Sequence, residues 1–264
     1  MTVGAGGVEY ENRVLRALKP QIKLLPNIEI KQGTSTAAFA ANEPDLQLVI
    51  FGTPVNIEIK QDSKAQMGGG SFNFDLKTGK FFKSAKTEMD ADVEKTILKI
   101  LNAKKKNVID VLNFAKKNDL PGLSKDVKGL PLRASKDTWE AITKARLLVP
   151  LNTIIETDID FLYDHYEHKN CFYIQMGNAG LFYLKRNPLN LPVPQLSSKF
   201  NVELRLGRSG SSYVAAVKTN VASGSIRAQG RLNGRVSSPY SLDKTSDFTK
   251  LFGPLTKKDL QKYK

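Results

Sequence analysis

Residues 44–60 read Pro44-Asp45-Leu46-Gln47-Leu48-Val49-Ile50-Phe51-Gly52-Thr53-Pro54-Val55-Asn56-Ile57-Glu58-Ile59-Lys60, and the fold is decided by how this stretch is punctuated. Two short apolar runs flank Gly52-Thr53-Pro54, where glycine and proline break the pattern, so the stretch predicts two antiparallel strands joined by a turn. Side chains alternate along a strand. Val55, Ile57 and Ile59 therefore share one face, and Asn56, Glu58 and Lys60 share the other. Asp45 opens the first strand, and the hairpin folds it back toward the end of the second. Two carboxylates and a lysine are thus expected to converge at one end of a hydrophobic hairpin.

Such a group suits phosphodiester hydrolysis. Paired carboxylates can hold hard divalent cations through oxygen, leaving positions for water and phosphate. A lysine beside them can orient the nucleophile or neutralise charge that builds on phosphorus. An all-oxygen site favours Mg²⁺, with Mn²⁺ as a substitute, over Zn²⁺.

Pro44-Asp45, followed after twelve residues by Glu58-Xaa-Lys60, resembles the signature of the PD-(D/E)xK, or restriction-endonuclease-like, nucleases. The short spacing is similar to that of Holliday-junction resolvases and other compact members. The resemblance implies an α/β restriction-endonuclease-like core, a central mixed β-sheet flanked by helices. It implies Asp45 and Glu58 as metal ligands, the backbone carbonyl of Ile59 completing the coordination, and Lys60 as the catalytic lysine. Members often open with a helix whose glutamate reaches the metal. Gly7-Val8-Glu9-Tyr10-Glu11 is similar to that opening and favours Glu11 over Glu9, while acidic residues that favour a helix N-terminus are the plain alternative. A glutamine after the Glu-Xaa-Lys, Gln66 or Gln61, is a candidate contact near the site. A homodimer is implied only by the habit of many members.

The chain has 264 residues, is 41% hydrophobic and 25% charged, and carries a net charge of +14. That length can bury a real core in one domain or two. No apolar run approaches the ~20 residues of a membrane helix, and no signal-peptide pattern opens the chain. With Cys171 alone there is no intrachain disulfide and no cysteine zinc site. An intracellular setting, cytoplasmic or nucleoid-associated, is expected. The charge is uneven: residues 199–264 hold 13 Lys/Arg against 4 Asp/Glu, and the first 198 hold 27 against 22. A basic excess concentrated in one region points to a polyanion partner, with DNA ahead of a membrane surface.

Elsewhere, Gly4-Ala5-Gly6-Gly7 reads as a flexible lead and residues 8–18 as a helix. Residues 20–32 read as the first strand, 88–117 as a long helical stretch broken near Lys104-Lys105-Lys106, and 119–135 as a loop. The lysines around Phe72, Phe74, Phe81 and Phe82 suit either nucleic-acid stacking or a hairpin with its aromatics turned inward. Residues 157–168 read as a helix with Thr157 as N-cap, and His165 and His168 on it are assigned a structural role. Strands follow at Cys171–Met176 and Gly180–Leu184. Pro188, Pro192 and Pro194 mark the expected boundary between a nuclease core, 1–190, and a basic β-rich DNA-binding extension, 191–264. In that extension Ile226 to Val236 alternates, aligning Arg227, Arg231 and Arg235 with two amides on one face. With Arg205 and Arg208 of the preceding strand and turn, these are the candidate nucleic-acid contacts. The expectation is a metal-dependent endodeoxyribonuclease. A junction resolvase or exonuclease of the same group, or a non-catalytic nucleic-acid-binding protein, is the alternative.

Overall fold

The computed structural model describes residues 5–33, 44–85, 87, 89, 91–117, 133–209, 213–214, 217–218 and 221–263, with backbone alone at 5, 32–33, 133–136, 206–209, 213–214, 217–218, 221–225 and 262–263. In chain order the elements are α1 (Ala5–Ile22), β1 (Ile28–Gly33), β2 (Leu46–Ile50), β3 (Thr53–Lys60), β4 (Gly69–Asp75) and β5 (Lys80–Lys83). Then come α2 (Ala91–Ala103), α3 (Lys105–Lys117), β6 (Arg133–Ser135), α4 (Lys136–Lys144), β7 (Thr153–Thr157) and α5 (Asp160–Glu167). The last are β8 (Cys171–Met176), β9 (Gly180–Tyr183), β10 (Lys199–Ser209), β11 (Tyr213–Val214), β12 (Val217–Lys218), β13 (Val221–Asn233) and α6 (Thr245–Phe252). Two compact units divide the chain. The first holds Met1–Met67, Asp158–Phe200 and Arg231–Lys264, and the second Gly68–Thr157 and Asn201–Gly230.

The first unit is built on a mixed five-stranded sheet, order β1-β2-β3-β8-β9, in which only β3 and β8 run parallel. β2 and β3 pair from Leu46 opposite Ile57 to Ile50 opposite Thr53. The turn between them is Phe51-Gly52, both at positive φ (48° and 79°). That is the two-residue turn whose twist suits a tight hairpin, and glycine takes its second position without strain. Thr53 and Pro54, expected in the turn, instead open β3. The central position of β3 explains its burial on both faces, which includes the polar Asn56 and Glu58.

Helix α1 presents Tyr10, Val14, Leu15 and Leu18 to a core shared with Val55, Ile57 and Ile59 of β3 and Phe248, Leu251 and Phe252 of α6. Each large apolar side chain so buried contributes roughly 1.5–3 kcal/mol. Gly6 and Gly7, expected in a flexible lead, are already helical, and a Cβ at Gly6 would stand 2.5 Å from the Gln61 side chain. Gly4 lies outside the described residues. The helix also continues to Ile22, so β1 begins only at Ile28 and not near residue 20. Helix α5 starts at Asp160, and Thr157 belongs to β7 and caps nothing.

The second unit is a six-stranded sheet, order β5-β4-β13-β10-β7 with β6 also on β13. Phe72, Phe74 and Phe81 of the β4–β5 hairpin are buried, with Phe74 and Phe81 ring centroids 4.8 Å apart. These aromatics pack inward, and only Phe82 is exposed. The long helical stretch is two helices, α2 and α3, parted at Lys104 as expected, with Ile97, Leu101, Val108, Val111 and Leu112 buried. Most of the loop expected at 119–135 lies outside the described residues, and its last three residues form β6.

The units do not follow the expected boundary at residue 190. Pro188, Leu189, Leu191 and Val193 are buried in the first unit, so this proline-rich stretch is packed rather than a linker. The extension is β-rich through β13, but residues 231–264 return to the first unit and end in α6. No helix among the described residues is long and apolar enough to cross a membrane.

Candidate functional site

The Phe51-Gly52 turn fixes the register, and one further step along it sets Asp45 across from Glu58 at the open end of the hairpin. Asp45 Oδ2 accepts from the Ile59 N–H at 2.9 Å and from Lys60 Nζ at 3.3 Å. Lys60 Nζ also donates to Glu58 Oε1. Lys60 thus spans both carboxylates. The Lys60 side chain is 18% exposed, that of Asp45 22% and that of Glu58 5%. Glu58 Oε2 is buried with no hydrogen-bond partner among the described residues. A buried carboxylate oxygen without a partner costs free energy unless a donor or a cation meets it.

Burial raises Asp45, and the neighbouring Glu58 charge adds to it; against the pull of Lys60 and the Ile59 N–H its carboxyl stands at about 6. Burial also works against the Glu58 anion, but Lys60 and Lys169 outweigh it and hold that carboxyl below its ordinary value. The Lys60 ammonium loses hydration, yet Glu58, Tyr166 and Asp45 carry its pKa well above the ordinary lysine value. At neutral pH the cluster is therefore two carboxylates and one ammonium, a net charge of about −1.

The other expected ligands are placed less evenly. Glu11 is half-buried on α1, and its charge is near enough to raise Asp45. Glu9 is exposed and lines a separate cavity. No group of three or more His, Cys, Asp or Glu capable of holding a metal occurs among the described residues. The Ile59 N–H points to Asp45, while the Lys60 carbonyl accepts from Gly177 N–H on the opposite side at 3.0 Å. Since N–H and C=O of one strand residue point the same way, the Ile59 carbonyl is directed to the edge that holds Asp45.

Helix α5 supplies what the sequence reading left aside. His165 and Lys169 act on Glu58 electrostatically, as Tyr166 does on Lys60. Burial lowers His165 to about 4, with Lys169 adding to the effect, so it is neutral at pH 7. Tyr166 is 1% exposed. His168 is exposed and its Nδ1 meets the Asp164 carbonyl at 2.6 Å.

Gln66 is exposed, and Gln61 lies against Gly6 of α1. Along β13 the expected alternation holds in the second unit, with Ile226, Ala228 and Gly230 buried and Arg227 exposed. It is not continued to Val236, because β13 ends at Asn233 and Arg235 stands beyond it. Arg231 is half-buried and donates to the Lys64 carbonyl at 2.6 Å. Arg205 pairs with Glu203 at 2.7 Å, so one acid does face this row. The Arg208 side chain lies outside the described residues.

No family model matches the chain, and no curated protein matches it. Among solved structures it is similar to HhaI endonuclease in complex with DNA, 11% identical over 91% of this chain and 96% of that chain, at a TM-score of 0.42. Nothing about this chain follows from a likeness of that size.

Proposed function

We propose that the chain is a divalent-metal-dependent endodeoxyribonuclease that hydrolyses DNA phosphodiester bonds at the Asp45–Glu58–Lys60 cluster. The observation that carries the reading is the buried, partnerless Oε2 of Glu58, one oxygen of a cluster that already bears excess negative charge. Those donors fit a hard cation. Glu58 and Asp45 would hold it, with the Ile59 carbonyl on the same edge and Glu11 nearby. Mg²⁺ bound there would supply Lewis-acid activation of water and charge neutralisation at phosphorus. Lys60, protonated across the working range, is a donor and a charge stabiliser rather than a base. Its ammonium can orient the attacking water or meet a non-bridging phosphate oxygen. The excess of 40 basic over 26 acidic residues favours a polyanionic substrate.

The deciding experiment incubates purified protein with linear, nicked, supercoiled and four-way-junction DNA, in Mg²⁺, Mn²⁺ or EDTA, beside Asp45→Asn and Glu58→Gln. The expected result is cutting that needs the metal and falls roughly 10²-fold or more in each variant. The pattern of substrates cut separates endonuclease, resolvase and exonuclease activities. Cutting in EDTA, or by both variants at the wild-type rate, refutes the assignment. Binding without cutting on every substrate leaves the non-catalytic reading, which the closure of Lys60 over both carboxylates favours.

A further inference from the structure

Within the first unit, a cavity of about 360 Å³ opens beside the first turns of α1. Its lining side chains are Glu9, Tyr10, Arg13, Arg16, Gln61 and Asn178. Gly6 and Gly177 complete the wall with bare backbone. Gly177 has no room for a side chain, since a Cβ there would stand 2.2 Å from the Gln61 carbonyl and 2.9 Å from the Tyr10 ring. Gly177 also donates its N–H to the Lys60 carbonyl. The cavity wall therefore begins one residue beyond the candidate catalytic lysine.

Arg13 and Arg16 lie three residues apart, one turn along the same helix face. Arg13 is fixed in place: it pairs with Asp243 at 2.8 Å and stacks over the Tyr10 ring at 4.6 Å. Arg16 is exposed and has no acidic partner among the described residues. The Arg16 fork, the remaining donors of Arg13 and the Gln61 carboxamide offer N–H groups that suit phosphate oxygens, while the Asn178 carboxamide is engaged with Ser63. The one carboxylate in the lining, Glu9, opposes an anion, and with Asp243 against Arg13 the attraction for one rests on Arg16 and the N–H donors.

We propose that this cavity binds a phosphoryl group of the nucleic acid, a short step along the strand from the Asp45–Glu58–Lys60 cluster. The proposal rests on the nucleic-acid reading above and extends it to a second phosphate. The phosphoryl group has two sources, an internal backbone diester or a terminal monoester.

The test measures binding of a fluorescein-labelled DNA duplex by anisotropy in EDTA across a salt series, for the wild type, Arg16→Gln and Glu9→Gln. Arg16→Gln should weaken binding ~3–10-fold and flatten the plot of log K against log salt by about 0.9, one phosphate's worth. Glu9→Gln should shift affinity the other way. Melting curves for each variant report folding, and the opposite signs of the two variants separate an anion site from general damage. Removal of the 5′ phosphates distinguishes the sources. A monoester site loses affinity when they are removed. A diester site keeps it, and loses it when a single methylphosphonate is placed near the cut. Unchanged slope and affinity in both variants, or weaker binding in both, overturns the proposal. The cleavage assay is read separately. Cutting by the wild type with no effect of Arg16→Gln on the salt slope sinks the cavity alone, and an effect on the slope without any cutting sinks the nuclease reading alone.

Discussion

Replacing Lys60 by methionine tests the cluster without relying on activity. The substitution keeps most of the side chain's volume and removes the ammonium that spans Glu58 and Asp45. Breaking one partner from a fully buried pair costs ~3–5 kcal/mol. Glu58 is nearly sealed at 5% exposure, but Asp45 and Lys60 near 20% keep some water, so the figure here is about 2–4 kcal/mol. In a protein of this size that lowers Tm by roughly 4–12 °C at pH 7 in EDTA. The pH dependence changes as well, because in the wild type the two carboxyls oppose one another: Asp45, raised to about 6, loses its contribution as pH rises through that value. In the wild type, Glu58 sits below its ordinary pKa, so its contribution is present above about 4.5 and lost below the folded value. In Lys60→Met the main charge that offsets burial is gone, leaving Lys169 for Glu58 and the Ile59 N–H for Asp45, so both carboxyls rise and the folded state binds a proton at Asp45 more tightly than the unfolded chain. The variant should therefore melt higher at pH 5.5 than at 7.5. Mg²⁺ replaces the missing positive charge and should restore about 2.7 kcal/mol at a hundredfold excess over its Kd. Differential scanning calorimetry with and without Mg²⁺ provides the reading. A variant as stable as the wild type in EDTA, or one that Mg²⁺ leaves unchanged, would show that neither the ion pair nor the cation site is what it is taken to be.

Further tests follow from other parts of the molecule. Gln175 is fully buried and donates to the Tyr10 hydroxyl at 2.8 Å and Ser241 Oγ at 2.9 Å, while its carbonyl accepts from the Leu242 N–H at 2.8 Å. Gln175→Leu strands those groups and should cost about 3 kcal/mol in urea unfolding, against under ~1 kcal/mol if the network were incidental. His165 is lowered to about 4 by burial, so between pH 6.5 and 4 the unfolded chain binds the extra proton and stability falls with pH. His165→Gln should remove about 1–3 kcal/mol of that acid loss, and an identical acid limb in both proteins would place the imidazole in solvent. Arg227→Gln and Arg235→Gln should each flatten the DNA-binding salt slope by about 0.9 with little change in Tm. Arg231→Gln should also lower Tm, because its guanidinium holds the Lys64 carbonyl. Slopes equal to the wild type's in all three would remove the row from the DNA path.

The hairpin was legible because its signals are local. A glycine-bearing two-residue turn fixes a register, and the register carries Asp45 to Glu58 without help from the rest of the chain. What was missed depends on contacts far apart in sequence. His165, Tyr166 and Lys169 reach the cluster from more than a hundred residues away, and their helical spacing reads equally well as an apolar face. Pro188 to Pro194 has the composition of a linker, yet Leu189, Leu191 and Val193 are filled in by a core that no composition window reveals. Gly6 reads as flexible until Gln61 is seen to occupy the missing side chain's place. The alternation in β13 was read correctly through Gly230, but the Asn233-Gly234 pair, a turn signal, marks the stop that the reading ran past.

The network around Gln175 bears on the order in which the molecule comes into being. Arg13 is held by Asp243 across 230 positions of sequence, and Gln21 meets Thr249 across 228. Helix α1, with Glu11 and the two arginines, leaves the ribosome before its clamp, which follows more than two hundred residues later. A nascent chain stopped before Ser241 has the whole Asp45–Glu58–Lys60 hairpin but leaves Arg13 without Asp243 and Gln175 without Ser241 and Leu242. Closure over such a separation is slow, because the entropy of the loop is lost before the contacts form. Seating of the helix beside the site thus waits for residues 241–249 to emerge, and a half-made chain does not hold a finished site.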